Sequence, residues 1–176
     1  MAFLVLAFPT INKEDFEWIQ SYRVKNDKLL CDVVDPHFTI VFPVTDMTEK
    51  DFVDEVTLQA KNLSPIDFEI DSAIVNKDLL SDSYYEFLVP REGNNEIIKL
   101  HDKLYSQKLS PNLRSDIEFI PHITIGKSKS MEVSKNNIEQ SAVPMIIGKI
   151  EKLSIVNYQD NVVSTIETAP LFSKGF

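Results

Sequence analysis

Cysteine is almost absent from this chain. Cys31 stands alone, so no disulfide can form within it, and it reads as a core thiol in a reducing compartment. Histidine and glycine are scarce too, with three and four residues among 176. Basic residues are outnumbered: 18 Lys+Arg against 27 Asp+Glu leave a net charge of −9. That disfavours a role resting on a broad cationic surface for duplex DNA, RNA or anionic lipid, while a local basic pocket stays possible. Long apolar runs are missing as well, since none approaches the ~20 residues of a membrane-spanning helix. The N-terminal run from Ala2 to Phe8 lacks a preceding Lys or Arg and is followed by Pro9 and polar sequence. It reads as a first strand and not as a leader. The expectation is a soluble, cytoplasmic protein.

What is present suffices for a core. Hydrophobic residues make up 43% and aromatics 10%, and a single domain of this length buries roughly 70% of its unfolded surface. Phe16, Ile19 and Tyr22 place a helix over 12–23, after the first strand. Strands follow at 35–44 and 66–75, with a helix over 48–62 between them. The second half repeats the order, with strands at 84–89 and 118–125 around a helix over 94–109. A weaker helix over 133–141 and two β-rich runs, 145–158 and 162–166, complete the chain. Pro9 maps onto Pro90 with a shift of 81, and the second strands map with a shift of 85. The chain therefore reads as one α/β domain spanning 1–176, built of pseudo-repeats of about 1–80 and 81–176 that form two lobes with a cleft between them. No Gly/Ser/Pro linker divides them, and neither half alone has a comfortable core.

The second strand of each half carries one pattern: Pro36-His37-Phe38-Thr39-Ile40 and Pro121-His122-Ile123-Thr124-Ile125. A strand's period of two sends His and Thr to one face and the apolar residues to the other. Two imidazoles and two hydroxyls then converge in the cleft. That set suits phosphodiester chemistry, which needs a base for the attacking oxygen, an acid for the leaving oxygen, and donors for the non-bridging oxygens. A zinc site is a poorer reading, because two histidines need a third protein ligand and no further Cys or His has ligand spacing, which leaves only an Asp or Glu to fill in.

The paired His-x-Thr motifs resemble those of the two-histidine (2H) phosphoesterase superfamily, which includes the 2′-5′ RNA ligase-like and cyclic phosphodiesterase proteins, and the resemblance covers nearly the whole chain. It implies an α/β (α+β) fold of two pseudo-symmetric lobes with largely antiparallel sheets around a central cleft. It also implies chemistry without a metal or other cofactor on 2′,3′-cyclic phosphates or 2′-5′ links at nucleotide or RNA ends. His37 and His122 would be the catalytic pair and Thr39 and Thr124 the phosphate ligands. The resemblance leaves open which histidine is acid, which substrate is used, and whether bonds are cleaved or joined. A module with the same cleft that binds nucleotides or RNA ends without turnover is the alternative, and a structural role for the histidines is a third reading.

Among the remaining residues, Arg23, Arg91, Arg114 and Lys127 are the basic residues that could help hold phosphate, with Lys127, expected on the side of Thr124, first among them and Arg114 in the loop before the second motif. Phe8, Phe42 and Tyr158 are candidates for stacking a nucleobase. Arg23 and Arg91 read as solvated charges, and His101 as a surface helix residue. The acidic surface reads as a solvated shell and argues for a small nucleotide or short RNA end over a long polyanion; a monomer is expected.

Overall fold

The computed structural model describes residues 1–79 and 81–172; residues 173–176 of the second expected repeat lie outside it. The strands are β1 (Ala2–Ala7), β2 (Thr10–Ile11), β3 (Phe38–Val44), β4 (Ile66–Lys77), β5 (Tyr84–Glu92), β6 (Ile123–Ser128), β7 (Ile146–Ile150), β8 (Lys152–Gln159) and β9 (Val162–Pro170). The helices are α1 (Lys13–Asn26), α2 (Glu49–Ala60), α3 (Asn94–Leu104) and α4 (Met131–Ser141), with a 3₁₀ turn at Ser110–Asn112. All nine strands join one antiparallel sheet in the order β2-β7-β4-β5-β6-β3-β1-β8-β9. Phe8 and Pro9 alone link β1 to β2, a connection that spans at most about 11 Å. Six strand spacings separate those two strands in the sheet, about 29 Å if flat, so the sheet curls on itself.

Local chemistry sets the helix starts. Asn12 Oδ1 accepts the Asp15 amide at 2.8 Å, Thr48 Oγ1 accepts the Asp51 amide at 3.2 Å, and Ser130 Oγ accepts the Val133 amide at 3.3 Å. Gly93 starts α3 at φ 79°, a left-handed conformation in which a Cβ would collide with the Asp67 carbonyl oxygen. The helices cross between halves: α1, which follows β1, packs on β6, and α3, which follows β5, packs on β3. Phe38 meets Phe68 edge-on at 5.2 Å, and Phe3 stacks on Phe52 at 5.5 Å, at the centre of the buried cluster.

Several expected boundaries shift. The motif strands begin only at Phe38 and Ile123, because the prolines before them offer no amide and the carbonyls of Asp35 and Ile120 are taken by histidine rings. The expected run over 145–158 breaks at Glu151, where β7 pairs with β4 and β8 turns to β1. The helix from Asn94 ends at Leu104 and not at 109. Phe16, counted toward the apolar face of α1, is 36% exposed, and Ile19 and Tyr22 carry that face.

Candidate active site

The two motifs meet at the middle of the sheet. The β3–β6 pairing is Phe38 with Ile123. Carried one residue either way, that register sets His37 opposite Thr124 and Thr39 opposite His122. The motifs are thus related by a local two-fold through the Phe38–Ile123 pair. Each histidine faces the other motif's threonine, and the histidines themselves are diagonal neighbours, about 7–8 Å apart between backbones. Phe38, Ile40, Ile123 and Ile125 are fully buried, while the four polar residues are half-buried.

Both imidazoles are oriented in the same way. His37 Nδ1 lies 2.7 Å from the Asp35 carbonyl and His122 Nδ1 lies 2.6 Å from the Ile120 carbonyl. A carbonyl only accepts, so each Nδ1 carries the proton, and each Nε2 is left for a substrate. Phe8 packs edge-on against His37 at 5.8 Å, and Phe87 stacks on His122 at 3.6 Å and 18°. Burial pushes the His37 pKa below the usual histidine range, with Arg23 adding to the depression and the Asp35 carbonyl opposing it. Burial pushes His122 down to about 4, and a charge on His37 lowers it further, against the Ile120 carbonyl.

These depressed values make stability pH-dependent. Between pH 6.5 and about 4 the unfolded chain binds a proton at this position that folded His122 refuses, so stability falls as pH drops through that window and is flat above it. The shift corresponds to about 3 kcal/mol. Denaturant titrations at pH 7 and pH 4.5 are expected to show this loss in the unaltered protein and much less in His122→Gln; an equal loss in both would refute it.

A matching irregularity in the two halves shapes the rest of the face. After Leu6–Thr39 the β1–β3 ladder resumes at Val5–Val41, and after Phe87–Thr124 the β5–β6 ladder resumes at Glu86–Gly126. Ile40 and Ile125 are the extra residues of two equivalent bulges, and each bulge reverses the parity of the residues beyond it. Lys127 lies three residues from Thr124, which in an unbroken strand is the opposite face. The bulge returns it to the side of Thr124, and the other bulge does the same for Phe42, its counterpart under the 85-residue shift. Lys127 Nζ donates to the Tyr85 hydroxyl at 2.9 Å and sits 4.7 Å from that ring. Phe42 is 36% exposed and meets Phe119 edge-on at 6.3 Å.

Other expected residues lie elsewhere. Arg114 is bound bidentately by Asp116, with both contacts at 2.8 Å, in an exposed loop. Tyr158 pairs with Ala2, four residues along β1 from the one opposite Thr39, or about 13 Å. Its hydroxyl donates to Asn161 in the β8–β9 turn. His101 is not a surface residue: it is 4% exposed, and its ring stacks on Phe119 at 3.8 Å. Arg23 is 2% exposed and bonds to loop carbonyls, while Arg91 is held by Glu69 and Asp71. Phe87 and Tyr85, against His122 and beneath Lys127, line the candidate site, and strand periodicity does not single them out. Among the described residues no group of three or more His, Cys, Asp or Glu side chains is placed to hold a metal, and no helix is long and apolar enough to cross a membrane.

Comparison with known proteins bears on the fold and the family. None of the curated proteins matches the chain by sequence. Escherichia coli LigT complexed with NADP+ superposes with a TM-score of 0.63 at 17% identity, covering 97% of each chain. TT0787 of Thermus thermophilus gives 0.62 at 14% identity, covering 99% of this chain and 100% of its own. Usb1 of Kluyveromyces marxianus gives 0.60 at 7% identity, covering 97% and 98%. These likenesses show the α+β fold with its curled antiparallel sheet. The family model of the 2′-5′ RNA ligase superfamily matches residues 11–162, and the chain belongs to that superfamily, within the two-histidine phosphoesterases.

Proposed function

We propose that this phosphoesterase acts on 2′,3′-cyclic phosphates or 2′-5′-linked nucleotides and RNA ends, with His37 and His122 as its acid–base pair. One observation carries the reading: two imidazoles with capped Nδ1 and free Nε2 lie diagonally across a local two-fold, each facing the other motif's threonine. A phosphate seated on that axis has one Nε2 on the side of the attacking oxygen and the other on the side of the leaving oxygen. In hydrolysis of a cyclic phosphate, one Nε2 takes the proton from water as its oxygen bonds to phosphorus. The other, protonated, gives its proton to the ribose oxygen as that P–O bond breaks. Thr39 and Thr124 hydroxyls donate to the non-bridging oxygens. Lys127 extends the site on one side of the axis and Phe42 on the other, which suits an anionic group and a nucleobase, with Phe8 beside His37. That LigT has been crystallised with 3′-AMP, with ATP and with NADP+ supports a small nucleotide as ligand.

Neutral histidines leave the acid without a proton near pH 7 until an anion arrives. Bound phosphate raises their pKa, so binding takes up a proton and tightens as pH falls from 8 toward 6. Calorimetry in buffers of different ionisation enthalpy is expected to show uptake; proton release would contradict it. The same depression favours a second reading, a nucleotide-binding module without turnover. The deciding experiment incubates the protein, in chelator, with 2′,3′-cyclic nucleotides and with 2′-5′ and 3′-5′ oligonucleotides, and separates the products by chromatography. Conversion of a cyclic or 2′-5′ member supports the enzyme. Saturable binding without conversion moves the reading to the module, and conversion only when a divalent metal is restored refutes the mechanism. Lys127→Gln is expected to weaken binding of a substrate carrying a second phosphate about 10-fold, with little effect on one lacking it.

A further inference from the structure

We propose that Arg23 and His101 are positioning residues, one for each histidine of the pair, an inference that rests on the phosphodiesterase reading for its catalytic consequence. Each imidazole is aimed by a carbonyl two residues before it, from Asp35 for His37 and Ile120 for His122. Neither carbonyl lies in a strand, so its direction depends on how the loop before it is held. The residue just ahead of each is Val34 or Phe119, and these correspond under the 85-residue shift. In the first half the Arg23 guanidinium, from α1, donates through Nη2 to the Val34 carbonyl at 2.9 Å and the Leu30 carbonyl at 3.1 Å. Nη1 donates to Gln20 at 2.9 Å, and Asp27 lies 3.6 Å from Nε. In the second half His101, from α3, lays its ring on Phe119 at 3.8 Å and 10°, with Tyr105 beside it at 4.8 Å.

The two halves meet one requirement by different chemistry: each clamps the residue three before its histidine with a buried side chain from the preceding helix. A buried guanidinium with a loosely placed carboxylate is a weak source of stability, so Arg23 is better explained by the loop geometry it enforces. His101 is likewise buried, with its Nδ1 3.0 Å from Asp102. Both side chains hold the loops that carry the aiming carbonyls; the Arg23 charge also adds to the depression that burial imposes on the His37 pKa, and Phe119 beneath His101 meets Phe42 edge-on.

The test compares Arg23→Met, Arg23→Lys, His101→Leu and His101→Phe by turnover and by the proton resonances of the two Nδ1–H groups in histidine-labelled protein. Arg23→Met is expected to lose the protected His37 resonance and keep that of His122, and His101→Leu the reverse, each with a loss in kcat of about 10- to 100-fold. His101→Phe keeps a flat ring over Phe119 and is expected to retain both resonances and most of the turnover. If Arg23→Met does not fold, Arg23→Lys, which reaches one carbonyl, is expected to weaken the His37 resonance alone. The proposal is overturned if a folded variant disturbs both histidines equally, disturbs neither, or if His101→Phe behaves like His101→Leu. If the resonances respond as expected but the unaltered protein converts no phosphodiester, positioning stands and the phosphodiesterase reading fails.

Discussion

His37→Ala and His122→Ala are each expected to lower turnover by about 10²- to 10⁴-fold with the fold intact, because each removes one proton-transfer group. The double variant falls little further than the worse single one, since acid and base work in the same transition state. Thr39→Val and Thr124→Val, which keep the side chain's shape and lose a donor, are expected to cost about 10²-fold. The register adds a sharper expectation. His37 stands opposite Thr124 and not beside its own Thr39 across the ladder, so a double-mutant cycle on kcat/KM is expected to show stronger coupling for His37 with Thr124 than for His37 with Thr39. The mirror holds for His122 with Thr39. Coupling that follows the sequence motif and not the cross-strand pair would break the two-fold arrangement. Activity retained in both alanine variants would remove the histidines from the mechanism.

The pairing of the two motif strands follows from patterns that are local in the sequence. Shifts of 81 and 85 residues, read from two prolines and two motifs, reappear as register: Leu6 faces Thr39 as Phe87 faces Thr124, and Ala7 faces Phe38 as Leu88 faces Ile123. The helix starts obey the first shift too, with Asn12 and Gly93 as N-caps. What could not be read was whatever depends on partners distant in sequence. Strand periodicity carries no sign of a bulge: Lys127 stands on the expected side of Thr124 only because Ile125 is left out of the ladder, since three residues of separation in an unbroken strand give the opposite face. His101 on a polar-looking helix gives no hint of Phe119, which reaches it from a loop 18 positions on. Arg23 reads as a solvated charge because the Leu30 and Val34 carbonyls that its guanidinium bonds leave no mark in the sequence. The break between β7 and β8 follows from curling of the whole sheet, which no local window contains.

Gly126→Val is expected to be among the most destabilising single changes near the site. Gly126 faces Glu86 across the bulge, and a Cβ there would collide with Glu86 Oε2 and come within 2.7 Å of its Cδ. That carboxylate is fully buried and cannot swing into water: Tyr22 donates to it from α1 at 2.6 Å and Asn137 from α4 at 3.1 Å. Displacing it strands a buried charge or its donors, at a cost of about 3 kcal/mol, which in a chain of this size lowers Tm by about 6–12 °C. The other half shows how the same bulge is filled without charge, because Val5 and Val41 occupy the positions equivalent to Glu86 and Gly126 and are both buried. Glu86→Val with Gly126→Val transplants that solution and is expected to recover part of the loss, the rest being the Tyr22 hydroxyl and Asn137 amide left without their acceptor. Because Glu86 lies between Tyr85 and Phe87, the residues beneath Lys127 and against His122, Gly126→Val also lowers kcat, and the double variant restores it. Calorimetric melting of the four proteins in the cycle, with turnover measured on each, decides the matter. A Gly126→Val protein as stable as the parent, or a double variant no better than Gly126→Val alone, would show that the buried carboxylate does not set the shape of this bulge.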